Sequence, residues 1–192
     1  MIVEVILAAL VIGWLLRGNV HRLAEAPIKW PWMIFVPPLV TALAAAIYAT
    51  GWVHLSFPIS SLLRVVVWGV FTIANWRIPG AKLMLAGLLL NIAAAAANGG
   101  LMPVSHAGFI AVTGENADRY IALFPHVRGM LIGPHTKLVP LCDIVVFRHP
   151  YALVPSVYSL GDIISSIGGL VAIVTLMRAP LASKQEPALE EA

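Results

Sequence analysis

Charged residues are scarce in this chain of 192 residues: only 11% are Asp, Glu, Lys or Arg, whereas 60% are hydrophobic. A soluble domain carries about 25% charged residues, so the composition argues against a soluble globular protein. Cysteine is almost absent, and the single Cys142 excludes an intramolecular disulfide. The sequence also lacks a GxSxG nucleophile motif, a Gly-rich phosphate loop and the HExxH or CxxC spacing of metal sites. No motif therefore indicates an enzyme or a cofactor.

The apolar residues collect into runs long enough to cross a bilayer, for which a helix needs roughly 17–25 mainly apolar residues. Five such runs occur, at residues 2–16, 30–52, 60–76, 83–98 and 160–177. The sequence therefore predicts an all-α membrane protein with about five transmembrane helices. Glu4 stands where a signal peptide carries Lys or Arg, so we interpret the first run as a retained helix. The pair Pro37-Pro38 predicts a kink or a later start of the second helix, because proline removes a backbone donor.

The basic residues predict how the chain is threaded. Seven of them lie in the connections after the first, third and fifth runs: Arg17, Arg22, Lys29, Arg77, Lys82, Arg178 and Lys184. The short connection GWVHLSF between the second and third runs holds none. Because Lys and Arg remain on the cytoplasmic side, we expect the N-terminus outside and the C-terminus in the cytoplasm. This distribution explains the pI of about 9.3, and the interleaved aromatic and basic residues of a nucleic-acid-binding surface are missing.

The connection between the fourth and fifth runs, residues 99–156, is too long for a plain loop in a compact protein. It is also too apolar for a solvated linker, because it contains segments such as GFIAV, YIALF and LVPLCDIVVF. We expect a structured extracytoplasmic or re-entrant cap. The chain then divides into helices one to four (1–98), the cap (99–156), helix five (157–178) and a disordered cytoplasmic tail (179–192).

Small and polar residues recur every four positions in the fourth and fifth runs: Gly87, Asn91, Ala95 and Gly99, then Gly161, Ser165 and Gly169. Residues four apart share a helix face. Small residues let helices approach closely in lipid, and asparagine amides hydrogen-bond across such contacts. The pattern predicts close packing of helix four against helix five. The alternative is a polar path or solute site lined by Asn91 and Asn98.

Asp162 also has two interpretations. The string Ser159-Leu160-Gly161-Asp162 matches a capping box at the start of helix five, which would place an acidic residue in the first turn. The alternative is a proton or cation site at the outer membrane boundary, because carboxylates at membrane depth are often functional.

Five of the six histidines fall on the predicted outer side, and three of them are weak candidates for metal ligands: His126, His135 and His149. Imidazole and carboxylate groups suit zinc and similar ions. No recognised metal-binding spacing is present, so the sequence predicts no metal cofactor.

Three motifs resemble those of a known family: Asn98-Gly99-Gly100-Leu101-Met102-Pro103-Val104, Cys142-Asp143-Ile144-Val145, and Ser159-Leu160-Gly161-Asp162-Ile163-Ile164. Together with the start IVEVILAALVIGWLLRGN, they resemble a family of small bacterial integral membrane proteins, the domain of unknown function 5317. The resemblance implies a multi-pass protein of the inner (plasma) membrane. It implies no activity, substrate or cofactor.

The leading hypothesis is a non-enzymatic binding, transport or accessory component of the membrane. Its site lies at the outer boundary, where Asn98, Asp143 and Asp162 converge with the backbone of Gly99 and Gly100. Asn98 would supply amide recognition, and the two carboxylates would bind a proton or a cation.

Two alternatives stay open. A lipid- or isoprenoid-modifying enzyme needs a buried acid/base pair in a lipid-facing cleft. A structural subunit of a larger complex, or a homo-oligomer, needs its small-residue stripes to face another chain. A transporter would instead show a polar cavity near Asn91. Beyond the lipid bilayer, the sequence names no partner, solute or ion.

Overall fold

The computed structural model describes residues 2–49, 53–114, 119, 130–148 and 155–179. This part of the chain is mostly helical. Its α helices are α1 (Ile2–Leu15), α2 (His21–Ala24), α3 (Val36–Ala49), α4 (Val53–Ala74), α5 (Ala81–Ala97), α6 (His106–Thr113) and α7 (Leu160–Arg178). It also contains 3₁₀ helices at Pro31–Phe35 and Val139–Leu141, and strands β1 (Val145–Phe147) and β2 (Ser156–Tyr158).

Each of the five apolar runs carries a helix, but within the described residues only α7 is both long and apolar enough to cross a membrane. Helices α1 and α3 have 14 residues each. A helix of that length spans about 21 Å, less than the roughly 30 Å of a hydrocarbon core. The structure therefore supports membrane association through one helix.

Helix α3 begins later than the apolar run that contains it, whereas helix α4 begins earlier than its run. Helix α3 begins at Val36, with Pro37 and Pro38 in its first turn, which is the later start that the proline pair predicts. Helix α4 begins at Val53, although residues 51–57 were expected to form a loop. That expectation is wrong for residues 53–57, which are helical although Pro58, the sixth residue of α4, has no backbone N–H to donate.

Helix α7 is central to the packing: it contacts α5 and α1, while α5 packs against α4 and α4 against α3. The backbone N–H of Asn19 donates to Met177 O at 2.8 Å, which brings the C-terminal ends of α1 and α7 together. Gly80, before α5, lies against Gly168 in the middle of α7. Helix α5 therefore runs antiparallel to α7, and its C-terminal end reaches the cap.

The described part of the cap contains extended chain as well as the short helix α6, in a chain that is otherwise mostly helical. Val104 forms parallel bridges with both Leu131 and Asp143, and β1 pairs with β2 in antiparallel register. The β-branched valines of VVF and SVY favour this pairing. Most of the predicted helix NADRYIALF and almost all of the tail lie outside the described residues.

Candidate functional site

Helices α5 and α7 approach each other so closely at two glycines that no side chain fits between them. A Cβ atom on Gly87 would overlap Gly161 O and Ser165 Oγ, and one on Gly161 would overlap Asn91 Oδ1. Ser165 Oγ donates to Met84 O at 3.2 Å across the same contact. Glycine is therefore required at both positions, and the polar groups of the two helices come within hydrogen-bonding distance.

The contacting faces follow the true helical period rather than a four-residue repeat. On α7 the third small residue in the contact is Gly168, whose Cβ would lie 2.6 Å from Gly80 O, whereas a Cβ on Gly169 meets no atom within 4 Å. On α5 the fully buried residue is Ala94 instead of Ala95. Two turns of a 3.6-residue helix advance about seven residues, so the predicted Ala95 and Gly169 are each one position too far.

A closed ring of hydrogen bonds joins Asn91 of α5 to the start of α7. Asn91 Nδ2 donates to Asp162 Oδ1 at 2.8 Å, and Ser159 Oγ donates to Asn91 Oδ1 at 2.7 Å. The N–H of Asp162 donates to Ser159 Oγ at 2.9 Å, and the N–H of Ser159 donates to Asp162 Oδ2 at 3.1 Å. The expected capping box is present, and Asn91 extends it across the interface between the helices.

The ring explains the structural part of Asp162's role. Each carboxylate oxygen accepts one hydrogen bond, and the acidic group lies in the first turn of α7, where the helix dipole stabilises negative charge. Ser159 is fully buried beneath it. Sequence reasoning recognised the capping box but did not anticipate that Asn91 would bind to it, because that contact joins residues 71 positions apart.

Asp143 lies close to this ring and is held by its backbone. Its N–H donates to Pro103 O at 2.9 Å, and its carbonyl accepts from the N–H of Ser105 at 2.8 Å. Within the described residues its side-chain Oδ1 is buried and has no hydrogen-bond partner. Burial, and then repulsion from the charge of Asp162, raise the pKa of Asp143 to about 7. The two aspartates that the sequence motifs singled out therefore lie within electrostatic range of each other, and they differ in their partners: both oxygens of Asp162 accept hydrogen bonds, whereas Oδ1 of Asp143 has no partner among the described residues.

Asn98 lies outside the ring and binds the backbone of the cap. Its Nδ2 donates to Ala94 O at 2.8 Å and to Lys137 O at 2.9 Å, and the N–H of Lys137 donates to its Oδ1 at 2.8 Å. Both the oxygen and the nitrogen of the side-chain amide are thus bonded to backbone groups of the protein, and amide recognition of a ligand by Asn98 stays a prediction. Asn98 fixes the start of the segment 137–143, which ends at Asp143.

Gly99 and Gly100 end helix α5. Both have positive φ, 74° and 85°, and the N–H of Gly100 donates to Ala95 O at 2.8 Å, as in a Schellman motif. Both glycines are exposed, and a Cβ on either meets no atom within 4 Å. Their positive φ, which L side chains rarely adopt, explains the choice of glycine.

Cys142, next to Asp143, is fully buried. Its thiol lies 3.5 Å from Leu138 O, and burial followed by the charge of Asp143 raises the thiol pKa. The side chain therefore fills the inside of the segment 137–143, whose turn also needs the left-handed conformation of Leu138 (φ 53°).

Of the three histidine candidates, His135 is exposed, and His126 and His149 lie outside the described residues. Within the described part of the chain, no group of three or more His, Cys, Asp and Glu side chains is placed to hold a metal ion. A cavity of about 450 Å³ in the cap is lined by Ile110, Ala111, Gly114, Arg148 and Pro155, none of which belongs to the ring.

A comparison with protein-family models decides the family. The model described as a family of unknown function, DUF5317, matches residues 25–174. The chain belongs to the DUF5317 family. The DUF5317 region contains α3 to α6, most of α7 and all the residues around the carboxylate pair, whereas α1 precedes it. No curated protein and no solved structure shows significant similarity to this DUF5317 chain.

Proposed function

We propose that this DUF5317 chain is a multi-pass protein of the bacterial plasma membrane. The support comes from its surface: Trp14 of α1 is 70% exposed and Phe35 is 72% exposed, and large apolar side chains are exposed along α1, α3, α4 and α5. Soluble monomers rarely expose contiguous apolar surface beyond a few hundred Å². A lipid environment covers this surface.

The proposed orientation places the cap outside and the C-terminus in the cytoplasm. The Asn19–Met177 hydrogen bond joins the connection after α1 to the C-terminal end of α7, and the hydrogen bonds between Lys29 and Asn75 join that connection to the one after α4, so these segments lie at one end of the helices. We call this the basic end, because it carries Arg17, Arg22, Lys29, Arg77, Lys82 and Arg178. The positive-inside rule assigns such an end to the cytoplasm, and the Asn98–Lys137 contact lies at the opposite end.

At that opposite end, the carboxyl pair Asp143–Asp162 binds a proton, and the protein acts as a non-enzymatic, proton-responsive binding or transport component. The observation that carries this proposal is the buried Oδ1 of Asp143, which has no partner among the described residues and lies beside a second carboxylate. A buried unpaired charge is strongly unfavourable. A proton on Asp143 neutralises its carboxyl group and so removes that penalty.

The proton explains the geometry better than the two alternatives. An enzyme needs an acid/base pair that reaches substrate, but both oxygens of Asp162 and the Asn91 Oδ1 are occupied within the ring. A structural subunit would present its glycine stripe to another chain, but Gly87 and Gly161 are used in the contact between α5 and α7. The proton requires only the one free carboxyl oxygen.

Infrared titration of the full chain in lipid nanodiscs, with ¹³C-labelled aspartate, tests the proposal. The carboxylic-acid band of Asp143 should lose half its intensity near pH 7 and be absent from Asp143→Asn. In Asp162→Asn the midpoint should fall, because repulsion is removed, yet stay above the usual aspartate value of about 3.9, because burial remains. A wild-type band that titrates near pH 4 would contradict the proposal.

The same titration distinguishes a proton from a metal cation. If a cation is the physiological ligand, millimolar Ca²⁺ or Mg²⁺ should lower the titration midpoint of the wild type more than Na⁺ at matched ionic strength does. Equal shifts support the proton as the ligand, because simple screening acts through ionic strength alone.

A further inference from the structure

The basic end combines its six cations with exposed tryptophans. Four of the six tryptophans in the chain lie there: Trp14, Trp30, Trp32 and Trp76. Their side chains are between 51% and 70% exposed. The ammonium group of Lys82 lies 5.8 Å from the ring centroid of Trp76, so cationic and aromatic groups are adjacent. Tryptophan is enriched at the headgroup level of bilayers, where its ring is apolar and its N–H is hydrated.

Arg22 differs from the other cations of this end because part of its guanidinium is buried. It belongs to α2, which packs against α7. Its Nε is buried and has no hydrogen-bond partner among the described residues. An unpaired buried N–H is unfavourable, and Arg presents several donors in a planar fork that matches a phosphate group. The only described carboxylate in the connection from 17 to 29 is that of Glu25, which is exposed.

We propose that the basic end binds the headgroup of an anionic phospholipid, with Arg22 contacting the phosphate and the tryptophans holding the end at headgroup depth. This inference rests on the membrane placement proposed above but not on the carboxyl pair. A lipid fits better than a free phosphate ion because the cations are bordered by large exposed apolar side chains, such as Leu15 and Leu16. A free ion makes no use of that apolar border.

The expected size of the effect follows from general membrane electrostatics. Each Lys or Arg near an anionic membrane surface strengthens binding about fivefold. Arg22→Ala should therefore weaken the preference for anionic lipid about fivefold or more, since the bidentate contact is lost as well. Arg22→Lys keeps the charge but loses the planar fork, so it should fall between the wild type and Arg22→Ala.

Native mass spectrometry of the full chain, released from detergent with added lipid, tests the inference. The probes are phosphatidylglycerol and phosphatidylcholine with the same acyl chains, and inorganic phosphate at the same concentration. The wild type should retain phosphatidylglycerol preferentially, and inorganic phosphate should not displace it. The matched control is Lys137→Ala, which removes an exposed cation at the cap end and should leave the preference unchanged.

Three results would overturn the inference: equal retention of the two lipids by the wild type, an equal loss in Lys137→Ala, or displacement of the lipid by inorganic phosphate. If Arg22→Ala does not fold, the exposed pair Arg17→Ala and Arg178→Ala provides a second test, with an intermediate loss expected. Infrared titration of the same samples keeps the two proposals separate, because loss of lipid preference should leave the Asp143 midpoint near 7.

Discussion

The two ends of the helices use the same asparagine contact for different purposes. At the basic end, Asn75 Nδ2 donates to Phe71 O and to Lys29 O, and the N–H of Lys29 donates to Asn75 Oδ1 at 2.8 Å. At the cap end, Asn98 makes the equivalent three bonds with Ala94 and Lys137. In both cases an asparagine near the end of a helix binds the carbonyl four residues earlier and the backbone of a distant lysine. The contact is therefore a device for attaching a connection to a helix end.

The ends differ in what the attached segment carries. The segment held by Asn75 leads into exposed tryptophans and lies among cations, whereas the segment held by Asn98 leads to a buried, partly unpaired carboxyl group. One end suits an interface with lipid headgroups, and the other suits a titrating site. The comparison shows that Asn98, which the sequence marks as a site residue, holds the start of the segment that ends at Asp143.

The largest expected effect is a pH dependence of the free energy of unfolding that arises from Asp143 at the cap end. The pKa of Asp143 is about 7 in the folded chain and about 3.9 in an unfolded one, so the folded state binds this proton more tightly. Its contribution to the free energy of unfolding is fully present below pH 4, decreases as the pH rises from about 4 to about 7, and is lost above that. The total change is up to about 4 kcal/mol. Chemical unfolding in detergent at several pH values measures it.

Asp143→Asn isolates this change, because the amide is neutral like the protonated acid. The variant should be more stable than the wild type at pH 8, and the difference should vanish near pH 4. If the free energy of unfolding of Asp143→Asn depended on pH as that of the wild type does, Asp143 would not be the source of the pH dependence, and the proposed difference between the two ends would be contradicted. Groups that are common to the wild type and the variant cancel in the difference between their curves, which therefore reports on Asp143.

The next largest effect compares the two asparagines directly. Asn75 is buried (6% exposed), so Asn75→Ala removes a buried amide and leaves the N–H and the carbonyl of Lys29 without their part-buried partner, which should lower the free energy of unfolding by about 3 kcal/mol. Asn98 is partly exposed, and water replaces its lost bonds in Asn98→Ala, so a loss of about 1 kcal/mol is expected. Urea unfolding at pH 5 measures both. Equal losses would mean that burial does not distinguish the two contacts.

Glycine substitutions provide a third comparison, within α7. Gly161→Ala forces a methyl group against Asn91 and should destabilise the chain by about 2 kcal/mol. Gly169→Ala places the same methyl group in open space and should stabilise the helix by up to about 1 kcal/mol. Thermal unfolding in detergent measures both, and a loss in both variants would contradict the assignment of the contacting face.

Contacts between residues close in the sequence could be predicted from the sequence, whereas contacts between distant residues could not. The capping box at Ser159–Asp162 and the helix end at Gly99 need only residues a few positions apart, so their spacing was sufficient to predict them. The partner of Asn98 is 39 residues away and depends on how the cap folds, which composition does not specify. The start of α4 was missed because the third apolar run was taken to begin at residue 60, and the segment GWVHLSF before it was interpreted as a connection.

The smallest predicted effect is on the pKa of Asp143 when the hydrogen-bonded ring is broken. It tests whether the ring or the burial of Asp143 raises that pKa. Ser159→Ala removes a fully buried hydroxyl that caps α7 and donates to Asn91 Oδ1, and the loss of both bonds should lower the free energy of unfolding by about 2 kcal/mol. The infrared midpoint of Asp143 should stay near 7, because both causes of its raised pKa, its burial and the charge of Asp162, persist. A midpoint that falls toward 4 would show that the ring itself shields the pair from water. In that case the closed hydrogen bonds of Asn91, Ser159 and Asp162 would belong to the proton site, and the cap end would depend on α5 and α7 for its chemistry as well as for its attachment.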